Sequence, residues 1–521
     1  MEALETVEKE RNPCYNLYLT ILIASSGCFF GYYNTIFNPL ATPLLQEEYK
    51  LQGAEKTKIQ GNLHLMWALG ATIGVISSSP LMTKFGRIRM TIVFETLAMA
   101  CYASFCFKNL IILQSARALS GFVTGLSQGI SQITIKELLS RRLVGTGGIL
   151  SSAFLISNSV LVFSLNLLIP ERALVKHWRL LLLIPFPITL IRLICFLRLG
   201  FDTPKYYFIS EPGESHATMK AERVVRFIFK DEYVDAKLQE IENSYNHEKR
   251  TGVSFSSMMN NESYRKRLLV GVMLNTFQQF SGINFLMYYS TDLFDKISHN
   301  GDEVTFQMGL VMLVSSFAAM YFINKLGRRF LLSFGVFLQG VSFLAFYLLL
   351  KLDYKSFLII PTATYIGAFA AGIGPLGMIY ATDILPPKIV GIVFAVQWLF
   401  DGIISKFVPI YLRAYGPDLL FIFFGGCCFL GFIFVRMYCL ESFGKSDVDI
   451  AREFKSLSWK GICFTSFDRT GEESVRGDAL PAQENIREGD GSGRRFELMD
   501  DQESSDKRDD GSLDKTIGGE L

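Results

Sequence analysis

Two adjacent glutamines, a serine and an asparagine interrupt a long apolar run of this chain, in FQQFSGINFLMYYS, Phe277 to Ser290. An amide has no partner in hydrocarbon, and leaving one unsatisfied costs several kcal/mol. Gln278, Gln279 and Asn284 therefore either join helices together or face water and a ligand. Each amide offers two donors and an acceptor, which suits a ligand whose hydroxyls both give and take hydrogen bonds. A carboxylate, Asp401, sits inside a second apolar run, VFAVQWLFDGII. At the centre of a membrane span it costs about 2.5–3.5 kcal/mol, so it belongs toward the bundle interior or toward water. There it could accept a hydrogen bond or carry a proton. Lys406, five residues on, is off-face for a direct pair.

Other chemistries find no support. The chain has no GxSxG, HExxH or Walker loop and no Cys/His cluster at metal-ligand spacing, and GGILSS at 147–152 is apolar helix. No enzyme activity, cofactor, metal or nucleic-acid partner is expected. The nine cysteines have no framework spacing; Cys28, Cys101, Cys106, Cys195, Cys427 and Cys428 lie in apolar runs and read as small buried thiols. His64 reads as a packed polar residue.

The elements that position these groups are membrane helices. Half of the 521 residues are hydrophobic, 45 are Phe and only 19% are charged, a balance foreign to soluble domains. Apolar runs long enough for a hydrocarbon core of about 30 Å fall near 15–38, 62–82, 90–108, 110–134, 146–168 and 179–199. Six more follow near 267–292, 304–323, 331–350, 356–381, 391–413 and 418–438. The net charge of +2 averages two parts: Glu441 onward has 12 Lys+Arg against 20 Asp+Glu, leaving 39 against 29 in the body. The links KFGRIR, KELLSRR and KLGRR are basic, which places them and both termini in the cytosol. No cleavable signal is visible, because the first apolar run lacks a small-residue cleavage site.

The expectation is an all-α membrane protein of twelve spans in two six-helix halves. Residues 1–14 form a cytosolic N-terminus, 15–199 the first half, 200–266 a cytosolic helical insert and 267–438 the second half. Residues 439–521 form an acidic, largely disordered cytosolic tail. A repeat supports the halves. KFGRIR matches KLGRRF at an offset of 241, and KELLSRRLVG matches TDILPPKIVG at 246. Transporters built from repeats hold substrate between the halves near the midplane.

At this point the chain resembles the major facilitator superfamily, and within it the sugar porters that include facilitative glucose transporters. The resemblance runs from about Tyr15 to Gly444. It is carried by FQQFSGINFLMYYS, by ARALSGFVTG leading to Glu137, by the HWR triplet at His177, and by KLGRR. DTPKYYF at 202–208 and ESFG at 441–444 resemble two further family boxes in weakened form. Gly121, Gly125 and Gly129 recur every four residues and read as a packing stripe.

The resemblance implies a sugar substrate and no cofactor, transported by alternating access. It implies substrate contacts at Gln278, Gln279, Asn284, Gln397, Trp398, Asp401 and Phe369. Trp398 could pack on a sugar ring or could serve packing alone. Arg117, Glu137 and Asp383 with Arg87, Arg328 and Arg329 are implied to form ion pairs at the cytosolic helix ends that break on inward opening. Tyr288 and Tyr289 are implied to close the outer end. A straight helix turns about 100° per residue and would point the three amides three ways, so the span is expected to break at Ser281-Gly282. A second break is expected in GIGPLG, 372–377. Several family positions differ: Ala153, Met312, Ala370 and Met378 replace polar or aromatic residues, with Asn158 near the first. Tyr33 stands where proton-coupled relatives hold an Asp, which favours downhill transport of a hexose such as glucose. Proton-coupled sugar or polyol symport, and a non-transporting sugar sensor, are the alternatives. The expected setting is a multi-pass protein of the plasma membrane; the sequence names no partner for the tail.

Overall fold

The computed structural model describes residues 10–105, 107, 109–211, 215–250, 261–287, 294, 301–354, 357–445 and 447–456. Among them, the regular structure is helical, with one isolated bridge between Glu10 and Phe229. Among the described residues, ten helices are long and apolar enough to cross a bilayer: Pro13–Thr35, Lys58–Phe85, Leu110–Leu138, Leu143–Leu168, Trp178–Leu199, Glu303–Ile323, Arg328–Lys351, Ile359–Ile384, Ile389–Leu412 and Asp418–Tyr438. The two other expected spans are helical but one is short and charged and the other is interrupted. The third, Arg87–Ser104, has only 18 residues and includes Arg87, Arg89 and Glu95. The seventh, Glu262–Phe280, stops at a turn before a further helical stretch at 283–287. The spans are numbered below in this order, first to twelfth.

Backbones approach closely where the glycine stripe lies. A Cβ added at Gly121 would sit 2.1 Å from the Trp67 carbonyl oxygen, and one at Gly125 2.1 Å from that of Ala71. The second span answers with Gly70 and Gly74, set equally close to the Ala118 and Phe122 carbonyls. Small residues on both sides let the second and fourth spans interlock, the packing route open to helices that gain little from hydrophobic burial in lipid.

At one end of the bundle the repeat becomes two matching clamps. In the first half, Arg87 Nε and Nη2 donate to the Glu137 carboxylate at 2.8 Å each, and the Thr203 hydroxyl donates to the same group. The Asp202 carboxylate accepts from the Arg87 and Ile88 backbone N–H groups, capping the third span. In the second half, Arg328 lies 2.5 Å from Asp383 and Ser442 donates to that carboxylate at 3.0 Å. Glu441 accepts from the Arg328 and Arg329 N–H groups, capping the ninth span. Each cap leaves no room for a side chain on the preceding glycine: a Cβ on Gly86 would meet Asp202 Oδ2 at 2.2 Å, and one on Gly327 would meet Glu441 Oε2 at 2.6 Å. Helix N-termini leave N–H groups unpaired and favour carboxylates there. Asp202 and Glu441 are the clamp members that charge spacing alone did not reveal.

Two expected members leave this set. Arg117 lies near the opposite end of the fourth span, 137 − 117 = 20 residues and about 30 Å along a helix from Glu137. It is fully buried, donates to the Tyr33 carbonyl and lies 4.2 Å and 4.4 Å over the Trp67 and Phe37 rings. Arg329 donates to the Arg436 carbonyl rather than to a side-chain acid. The clamps also brace helices within each half. What joins the halves beside them is Lys136 Nζ, donating to the Thr382 carbonyl at 2.9 Å.

The insert is helical at Pro204–Ser210, Ser215–Ile228 and Asp231–Arg250; residues 251–260 lie outside the described residues. The start of the tail is ordered. Ile450 and Phe454, one turn apart in the helix Asp447–Ser456, are buried, and Ser263 donates to the Ala451 carbonyl. An i,i+4 apolar pair suffices to seat one helix face on the body. Residues 457–521, like Tyr288 and Tyr289, lie outside the described residues.

Candidate functional site

The seventh span does break where its amides cluster. Its first helix ends at Phe280, Ser281 takes the capping position and Gly282 adopts φ +85°. Only glycine tolerates that conformation without strain. The carbonyl freed at the turn is not left bare, because the Tyr365 hydroxyl donates to Ser281 O at 2.8 Å. The turn packs against Phe343 and Phe424, so the irregular backbone is shielded by protein and the amides face the other way. Residues 278, 279, 283, 284 and 287 reach one cavity. The tenth span breaks as well, at Gly372, where Ile359–Ala371 gives way to Ile373–Ile384. Pro375 falls in the first turn of the second segment, where its missing N–H would have had no helical partner.

Between these breaks and the first half lies a cavity with about 130 Å³ of space open to water centres, far more than the roughly 10–15 Å³ that one water needs. It is walled by the first and fifth spans on one side and by the seventh, eighth, tenth and eleventh on the other. All seven residues expected at a substrate site line it: Gln278, Gln279, Asn284, Phe369, Gln397, Trp398 and Asp401. Gln278 Nε2 donates to the Gly374 carbonyl at 2.7 Å, joining the broken seventh and tenth spans. Asn284 Nδ2 donates to Gln279 Oε1 across the turn. Trp398 Nε1 donates to Gln128 Oε1 at 2.7 Å, and Gln128 in turn contacts the Met378 sulfur. The Trp398–Gln128 bond crosses from one half to the other.

Two amide oxygens on the wall, Gln278 Oε1 and Gln397 Oε1, are buried without a protein hydrogen-bond partner among the described residues. A buried acceptor left so costs about 1–3 kcal/mol. Asp401 is 3% exposed and lies on the same wall, while Lys406 is half-buried away from it. The second half thus presents amides and an acid, and apolar surface from Ile283, Met287, Met312, Phe369 and Met378.

The first half contributes groups that sequence reasoning missed as a set. Asn34, Thr35, Ser152 and Ser159 line the cavity, and the Thr35 and Ser159 hydroxyls are bonded at 2.8 Å. Ser152 and Ser159, seven residues apart on the fifth span, share a face, which was the available signal. Ala153 and Asn158 are not on the wall; Asn158 donates to the Phe154 carbonyl. Gln128 lies within the glycine stripe and carried no such signal. Toward the clamped end the halves touch: Lys136 bonds Thr382, and a Cβ on Gly148 would meet Ile379 at 2.9 Å. The arrangement fits a small, hydroxyl-rich solute held between two halves that close beneath it.

Residues 19–454 match the family described as Sugar (and other) transporter. Among curated relatives, the chain is 24% identical over 465 residues to Hexose transporter 1 of Plasmodium vivax, covering 82% of this chain and 91% of that protein. It is 25% identical over 478 residues to the facilitated glucose transporter member 3 of Mus musculus, covering 86% and 94%. Among solved structures it matches the proton:xylose symporter XylE, a major facilitator superfamily protein bound to 6-bromo-6-deoxy-D-glucose. The TM-score is 0.76 at 19% identity, over 85% of this chain and 100% of that one.

Proposed function

We propose, because this chain belongs to the sugar (and other) transporter family, that its cavity carries a hexose across the bilayer, down its gradient, by opening to each side in turn. The observation that carries this reading is the convergence of the amides Gln278, Gln279, Asn284 and Gln397 and the acid Asp401, with the Trp398 and Phe369 rings, on one cavity between the halves. Sugar hydroxyls both give and take hydrogen bonds, as the amides of such a wall do. The hexose and glucose transporters among its relatives support the same substrate class. The clamped end is the cytosolic one, since basic loops stay on that side, and the plasma membrane is the setting.

Opening toward the clamped end has a definite requirement. Lys136 must leave the Thr382 carbonyl and Gln128 must leave Trp398, while the clamps keep each half rigid. A solute touching both halves shifts that balance only by as much as it favours one state over the other. Uptake of labelled glucose and a panel of other sugars into proteoliposomes tests the proposal. Sugar binding without flux above empty vesicles would overturn it and mark a sensor of the same fold.

Removing either member of the Gln279–Asn284 pair orphans the other. Gln279→Ala and Asn284→Ala should each weaken sugar binding by about 1–3 kcal/mol, with the protein still reaching the membrane. Unchanged affinity in both variants would reassign these amides to helix packing.

Proton coupling is the second reading, favoured by the buried carboxylate of Asp401 on the cavity wall. Tyr33 argues against it: its hydroxyl donates to the Leu182 carbonyl and its own carbonyl accepts from Arg117, so no acid stands at that position. Transport should respond little to an imposed pH gradient, and Asp401→Asn should alter affinity or selectivity. Proton-driven accumulation that disappears in Asp401→Asn would establish symport instead.

A further inference from the structure

We propose that the groove between the chain's N-terminal segment and the insert helix Ser215–Ile228 binds an anionic phospholipid of the adjoining leaflet. This helix buries Ala217, Ala221, Val224, Val225 and Ile228 against the body. Its opposite face exposes Met219 at 64% and Phe227 at 48%, alternating with the exposed Arg223 and Arg226. Water has no use for two large apolar side chains on a cytosolic helix, whereas a headgroup layer accommodates them beside arginines. The position of Phe227 sets the depth. Its ring meets Tyr15 edge-on at 4.7 Å, in the first turn of the first span, and lies 6.2 Å from Phe201, just past the end of the sixth. These are the levels at which spans leave the hydrocarbon, where aromatic rings collect.

Together with Arg11, this face borders a shallow, open groove with about 390 Å³ of space open to water centres. Its charge suits a phosphodiester. Arg226 bonds Glu222 at 2.7 Å and Asp231 at 3.2 Å, and Arg11 lies 3.8 Å from Asp231. Arg223, exposed on the same face, has no ion-pair partner among the described residues. Three arginines line the groove against one carboxylate, Glu222. Asp231 and Asp235 act on Arg226 from outside it, so Arg223 is the cation left to meet an anion at the membrane plane. Attraction of such residues to anionic lipid is local and falls off within a Debye length. A lipid placed there would set its headgroup on Arg223 and its chains along Tyr15, Tyr18 and Phe227.

The test is lipid retention by the purified full-length protein, read by native mass spectrometry with phosphatidylserine against phosphatidylcholine, with inorganic phosphate as a headgroup-only control. Phosphatidylserine should be retained in preference, and Arg223→Gln should reduce that preference about fivefold, the share of one arginine at a charged surface. Arg223→Lys should restore most of it, and Phe227→Ser should weaken retention of both lipids. Equal retention of the two lipids by the native chain, or an Arg223→Gln variant that discriminates as well as the native chain, overturns the proposal. Displacement of the lipid by inorganic phosphate alone would assign the groove to a soluble anion and overturn it equally. None of these readouts depends on transport.

Discussion

Arg192→Leu should destabilise the protein by about 3–5 kcal/mol, the usual penalty for breaking a buried ion pair from one side. Arg192 lies in the middle of the sixth span and Glu95 in the middle of the third; they are 4% and 2% exposed. Nε and Nη2 each lie 2.7 Å from Glu95 Oε1, while Nη1 donates to the Leu22 carbonyl and the Ser25 hydroxyl. One guanidinium thus holds three spans, and it satisfies a carbonyl beside the turn at Ser25–Ser26 that divides the first span. That turn aims the following segment, Gly27–Thr35, whose Asn34 and Thr35 reach the cavity. The leucine variant leaves a carboxylate buried at bilayer depth, where it must take up a proton or draw in water. Glu95→Leu combined with Arg192→Leu removes both charges and should regain more than half of the loss, with the rest due to the orphaned Leu22 carbonyl. Thermal unfolding of the three variants in detergent measures this. A single variant as stable as the native chain, or a double variant no better than the single, would show that the pair is not what holds these spans.

Gly282→Val should cost about 2–5 kcal/mol and abolish sugar binding. Two penalties combine at this residue. A β-branched side chain is strained at φ +85°, by about 1–2 kcal/mol. Its Cβ would also stand 2.9 Å from the Phe343 and Phe424 rings, and overpacking a filled core adds about 1–3 kcal/mol. The chain can relieve both by straightening the span. That response turns Asn284 away from Gln279 and takes the amides off a common wall. Gly282→Ala should show the same pattern at smaller size. Equilibrium binding of labelled sugar, measured beside thermal stability, separates the two effects. A valine variant that binds normally would falsify the idea that the break positions the amides.

Much of this was legible because it is local. A run of apolar residues reports a span wherever it lies, since the backbone must pair internally in hydrocarbon whatever surrounds it. Amides in such a run are anomalous on any face, which singled out Gln278, Gln279 and Asn284 before their positions were known. The glycine between them marked the turn, because a residue without Cβ is what φ +85° requires. The matching loops KFGRIR and KLGRR showed two halves, and both arginines after those glycines hold the clamps.

The hydroxyl groups of the first half were silent for the opposite reason. A serine or threonine in a span can bond its own helix's carbonyl, as Ser159 does with Leu155, so its presence signals nothing by itself. Depth was equally hidden. Arg117 looked like a member of the clamps because it begins the stretch that ends at Glu137, yet the helical rise carries it to the other end of the span. By itself, then, the sequence determined which segments cross the bilayer, that they form two related halves, and which polar residues had to find water or one another. Tertiary structure alone decided that Gln128 meets Trp398 across the halves, that Glu95 finds Arg192, and that Asp202 and Glu441 cap equivalent helices. Helical periodicity fixes how residues on one helix face one another. The rotation and depth of one helix against another, distant in the chain, follow only from packing all of them together.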